Sequence, residues 1–65
     1  MSADESLTRA EGLLERLEAA RARLEASDDP DQAIEVLQEL AELAREIESE
    51  LQRARRASEA DAADA

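Results

Sequence analysis

The chain has no histidine, cysteine, lysine or aromatic residue, and only one glycine and one proline in 65 residues. Each absence removes a class of function. Without cysteine there is neither a disulfide framework nor thiolate chemistry. Without His, Cys, Tyr or Lys, the usual general bases, nucleophiles and Schiff-base donors are missing. The hydroxyls are Ser2, Ser6, Thr8, Ser27, Ser49 and Ser58, and only carboxylates could serve them as bases. No catalytic residue is expected, and the chain does not read as an enzyme.

Metal and cofactor sites are equally poorly served. Glu35, Glu39, Glu42 and Glu46 line one side of a helical pattern, but a di-metal bundle site also draws on Glu-x-x-His from facing helices, and there is no His. Asp28, Asp29 and Asp31 resemble the start of a calcium loop whose glycine and distant bidentate Glu are missing. No cofactor or metal is expected, and the acids read as a solvated face. No apolar run approaches membrane-spanning length. The start of the sequence is polar and acidic where a secretory signal is basic and then apolar. A soluble cytoplasmic protein is the expectation.

The lack of aromatics also weakens the core. The large aliphatics are nine Leu, two Ile and one Val, and the fifteen Ala favour helix while burying little surface each. At this length a single core barely outweighs chain entropy. Self-association or docking onto a partner is therefore expected, with a homo- or hetero-oligomer as the working state.

Charge narrows the choice of partner. The net charge is −10, unevenly spread. Residues 1–27 carry six acids and four Arg, and residues 28–50 carry nine acids against Arg45 alone. Arg53, Arg55 and Arg56 form the one basic run, and the tail is acidic again. Such a surface repels phosphate, so direct nucleic-acid binding is not expected. The basic run reads as cations placed near a helix C-terminus.

What the sequence does contain is helical periodicity. From Asp29 to Arg56, Ala33, Leu37, Leu40, Ala44, Ile47, Leu51 and Ala54 recur at alternating spacings of four and three, which aligns them on one face. Ile34, Val36, Ala41 and Leu43 widen that face beyond a coiled-coil seam. Asp29 can cap the helix, Pro30 suits its first position, and Gln32 completes a capping-box pattern. Earlier in the chain, Leu7, Ala10, Leu13, Leu14, Leu17, Ala20 and Leu24 mark a second face, with Ser2 and Glu5, or Ser6, as candidate caps. Gly12 interrupts this pattern, and Arg21 sits at the stripe's edge. Ser27, Asp28 and Asp29 before Pro30 read as a tight turn, which makes the helices antiparallel neighbours.

The expected organisation is a frayed segment 1–5, a helical hairpin 6–57 (helices 6–26 and 30–57, turn 27–29), and a disordered acidic tail 58–65. The fold class is an all-α antiparallel two-helix hairpin, completed by self-association into a bundle or by docking on partner helices.

In length and layout the chain resembles the small subunit of exodeoxyribonuclease VII over about residues 10–54. Leu14, Leu17, Leu24 and Glu25 look like the end of that family's first helix. Ile34, Leu37, Leu43, Ile47 and Leu51 look like the stripe of its second, provided the turn is one residue shorter. The family's characteristic aromatic, glycine and cysteine positions are held by Ala10, Leu37, Leu40 and Ile47. The resemblance implies a non-catalytic accessory subunit whose apolar face packs on long helices of a nuclease large subunit. The other reading is a self-assembling scaffold or adaptor, two hairpins forming a four-helix bundle. In both, the expected partner-binding residues are Leu13, Leu17, Leu24, Leu37, Leu40, Ile47 and Leu51.

Overall fold

In the computed structural model the backbone is described for residues 2–64 and the side chains for residues 2–60. The chain forms two α-helices, α1 over Ala3–Ala26 and α2 over Pro30–Asp64, packed on each other as an all-α hairpin. The hairpin measures 54 × 14 × 13 Å.

Caps and turn follow local side-chain chemistry. Ser2 is the N-cap of α1, its Oγ accepting from the Glu5 N–H at 3.2 Å. Asp4 and Glu5 lie in the first turn and Arg23 in the last, each where the helix dipole favours its charge. Ser27 closes α1 by donating its N–H to the Leu24 carbonyl. Asp29 caps α2, its Oδ1 accepting from the Asp31 N–H at 3.0 Å, and Pro30 follows as the first helical residue. The reciprocal half of the expected capping box is replaced. The Asp29 N–H donates to Ser27 Oγ, and Gln32 Oε1 lies within reach of that same hydroxyl.

Both outer boundaries differ from the sequence expectation. Helix α1 begins at Ala3 rather than after residue 5, because the Ser2 cap and the two first-turn acids stabilise its start; Met1 lies outside the described residues. Helix α2 continues beyond residue 57 to Asp64, where a disordered tail was expected. Extending an existing helix carries no nucleation cost, and the tail is alanine-rich with neither Gly nor Pro to stop it. The Arg55 Nε–Glu59 Oε1 bond of 3.1 Å adds an i,i+4 tie across the expected boundary. Helix α2 thus has 35 residues against 24 in α1. The run Arg53, Arg55 and Arg56 consequently lies inside α2, and the last turn holds no basic residue. Its expected role at the helix end does not apply, since the dipole effect fades within a turn.

The seam between the helices is narrow. Ala20, Val36 and Leu43 form its buried centre, with Leu13, Leu17, Leu24 and Leu40 packed against them and partly exposed. Towards the open end the buried positions are Ser6, Ala10, Glu50 and Ala54, so the seam there is lined by small or polar groups. Leu43, 2% exposed, is the one leucine enclosed among the described residues, and the other seam leucines stay partly exposed, so the monomer has a zipped seam rather than a closed core.

Gly12 is exposed, and a Cβ built on it meets no atom within 4 Å. The glycine therefore permits no close approach and costs helix propensity only. Gly12→Ala is expected to stabilise the hairpin by about 1 kcal/mol, raising the melting midpoint by about 4–8 °C for a domain of this size. Circular-dichroism melts of the two proteins check this; a lower midpoint for the alanine variant would show that something packs on that bare backbone.

Candidate interaction surface

The hairpin has two open sides, and they differ in chemistry. On the first, Arg9, Arg16 and Arg23 repeat every seven residues along α1 and so share a face. Opposite them on α2 stand Glu39 and Glu46, also seven apart. Arg23 Nη2 donates to Glu39 Oε2 across the helices. One heptad towards the open end, Arg9, Arg16 and Leu13 line a groove of about 520 Å³ with Glu46, Glu50 and Arg53, and Gly12 leaves its wall low. The acids Glu35, Glu39, Glu42 and Glu46, expected as a solvated face, are thus partly answered by the arginine row of α1.

Glu50 is the anomalous residue of this side. Its side chain is only 10% exposed, and Oε1 accepts from Arg53 Nη1 at 2.6 Å. Oε2 is buried without a hydrogen-bond partner. A buried carboxylate with an unmatched oxygen detracts from stability unless its cation is retained. Position 50 lies seven residues after Leu43 and fourteen after Val36, so Glu50 continues the buried line of α2 with a carboxylate. Chemically the groove offers Ser49 and two carboxylates, with no imidazole, thiol or amine beside them. Among the described residues, no group of three His, Cys, Asp or Glu could hold a metal ion.

The second side is apolar. At 100° per residue, Leu7 and Leu14 lie about 140–160° around α1 from the arginine row, beyond the seam residues. Leu37, Ala44 and Leu51 occupy the corresponding flank of α2, again at spacings of seven. Leu7, Leu14, Ile34, Leu37 and Leu51 remain between 42% and 54% exposed. Ala44, Ile47 and Leu51 line a shallow groove of about 340 Å³ on this flank with Glu48, Gln52 and Arg55. Arg21, at the edge of the same side, pairs with Glu25 of its own helix at 3.9 Å.

The seven residues singled out in the sequence therefore divide. Leu13, Leu17, Leu24 and Leu40 pack into the hairpin's own seam. Ile47 is half-buried at the border and faces the outer groove. Leu37 and Leu51 stand open on the apolar side, where Leu7 and Leu14 join them, and Ile34 is exposed further round α2. The signal for Leu7 and Leu14 was present as a seven-residue repeat running beside the seam. Among the described residues no helix is long and apolar enough to cross a membrane.

Glu50 generates a paired prediction. Glu50→Leu replaces the unmatched carboxylate with an apolar side chain and is expected to raise the melting midpoint, since such replacements are neutral or stabilising by about 1–4 kcal/mol. Arg53→Met strands the carboxylate and is expected to lower stability by about 1 kcal/mol, the low end of the range because Arg53 is half exposed. Thermal melts that shift the same way in both variants would contradict this reading of the pair. Comparison with family models, with curated proteins and with solved structures gives no match to this chain.

Proposed function

We propose that the protein is a non-catalytic helical interaction module that works through the apolar side of its hairpin. One observation carries the reading: five large aliphatic side chains stay about half exposed, while the buried apolar centre of the hairpin is no more than Ala20, Val36 and Leu43. Apolar patches on this scale, rimmed by charge, mark surfaces that another macromolecule covers. The heptad spacing of Leu7 with Leu14 and of Leu37 with Ala44 and Leu51 suits a partner that is itself helical. The resemblance to the small subunit of exodeoxyribonuclease VII gives this role a definite form, an accessory subunit whose apolar side packs on long helices of a nuclease large subunit. The net charge of −10 supports a protein partner over direct contact with nucleic acid.

The test is co-expression with the exodeoxyribonuclease VII large subunit of the same host, followed by co-purification. Leu37→Asp with Leu51→Asp is expected to abolish recovery of the pair, because two charges would enter an apolar contact. Arg53, Arg55 and Arg56 replaced together by Gln should leave recovery nearly intact, since exposed charges contribute about 0–1 kcal/mol per pair. No co-purification of the unaltered chain refutes the nuclease-accessory form. Recovery that survives the double Asp variant and fails in the triple Gln variant would move the working surface off the apolar side.

A further inference from the structure

We infer that, in the chain on its own, the apolar side that a larger partner would take is occupied by a second copy of this chain, related by a two-fold axis parallel to the helices so that both turns lie at the same end. The inference rests on the apolar side being the interaction surface and goes on to name what covers it.

Surface area gives the first argument. The chain exposes 4981 Å², against roughly 4100 Å² for a compact monomer of its mass. The excess of about 900 Å² is close to the roughly 800 Å² that one partner contributes to a standard interface. The Cα radius of gyration, 15.4 Å, likewise exceeds the roughly 11 Å of a compact chain this long. A second layer of two helices supplies the missing thickness, and a second copy is such a layer.

Register gives the second. Arg9 and Glu50 line one groove, and Arg23 and Val36 another. That register sets Leu7 within one residue of level with Leu51, Leu14 likewise with Ala44, and Arg21 with Leu37. Each level on the apolar side therefore offers one residue from each helix. Two copies with their turns together repeat every level, so four leucines meet at the Leu7–Leu51 level, and leucines meet alanines at the next. Arg21, already tied to Glu25 at 3.9 Å, lays its stem over the last level. Alternating large and small residues across facing positions is what lets such layers interlock.

The two edges of the apolar side give the third argument, and they also fix the orientation. The outer edge of α1 carries Asp4, Glu11, Glu18 and Glu25 at intervals of seven, all exposed. The outer edge of α2 carries Arg45 and Arg55 with the neutral Gln38 and Gln52, against the acids Glu48 and Glu59, of which Glu59 already pairs with Arg55 at 3.1 Å. A two-fold axis parallel to the helices lays the acidic edge of α1 along the partner's α2, with Arg45 level with Leu14, between Glu11 and Glu18. An axis perpendicular to the helices would place α1 on α1 and set the acidic edge against itself. Like charges so placed disfavour the second arrangement and select the first.

Two measurements on the full chain decide the matter. Sedimentation equilibrium is expected to give a dimer that dissociates as concentration falls. Leu14→Glu with Leu51→Glu should raise its Kd on the order of 100-fold, while far-ultraviolet circular dichroism at concentrations above that raised Kd recovers the helical signal, because both side chains are about half exposed in the hairpin and lie outside its seam. The chain has no cysteine, so Asp28→Cys places a single thiol in each turn. With both turns at one end, mild oxidation should give a covalent dimer at concentrations where the unaltered chain is dimeric. A helical monomer at hundreds of micromolar overturns the second copy and leaves the apolar side to another partner. A dimer that Arg16→Glu disrupts and the double Glu variant does not would overturn the apolar-side reading as well. A dimer that fails to cross-link through Asp28→Cys overturns the orientation, since turns at opposite ends are separated by about the 54 Å length of the hairpin.

Discussion

Two helices can cover only one face of each other, and in this chain the apolar stripe on each is wider than that face. Every other feature depends on this mismatch. The seam between α1 and α2 takes Leu13, Leu17, Leu24 and Leu40 around Ala20, Val36 and Leu43, and of its leucines it encloses only Leu43. What the seam cannot reach is left on one side as Leu7, Leu14, Leu37 and Leu51, with Ile34 exposed further round α2. Hydrophobic burial scales with area removed from water. Half of the stabilisation available to these side chains therefore remains unrealised in a single hairpin.

The polar side shows the complementary solution. There the exposed flanks of the two helices carry opposite charge, arginines at 9, 16 and 23 on α1 and glutamates at 39 and 46 on α2, and the Arg23–Glu39 bond joins them. Exposed pairs of this kind add little energy. Their value is directional: they fix which flank of α1 lies beside which flank of α2, and hence which leucines point away from both. Glu50 is the cost of that phase. With Arg53 above it and Oε2 unmatched, it occupies a seam position where an aliphatic residue would pack better. The open end of the hairpin is accordingly its weaker half, closed by alanine and serine rather than leucine, while the turn half holds Val36 and Leu43.

Much of this was legible in the sequence because the signals were local. The Ser27–Asp29 break before Pro30, the Asp29 cap and the two stripes all follow from side-chain chemistry within a few residues, and of the two candidate caps of α1, Ser2 and Ser6, the structure uses Ser2. The division of the stripe was less legible. A stripe more than 100° wide contains both seam and open side, and periodicity alone does not fix the rotation of one helix against its neighbour. Leu37 and Leu13 look alike as positions in a repeat, and only packing separates them. The chain ends were misjudged for a different reason. A small, acidic tail has a disordered composition, but alanine's helix propensity and the absence of a stop signal carry α2 through it once the preceding turns exist.

The central claim is that the hairpin is an incomplete fold whose apolar side is covered by a second copy. The concentration dependence of the thermal midpoint tests it most directly, because association linked to folding makes Tm rise with protein concentration. The account predicts a Tm that climbs steadily over a hundredfold range in concentration, with the helical signal lost at the dilute end. A cooperative, fully helical transition at the same Tm across that range would contradict it.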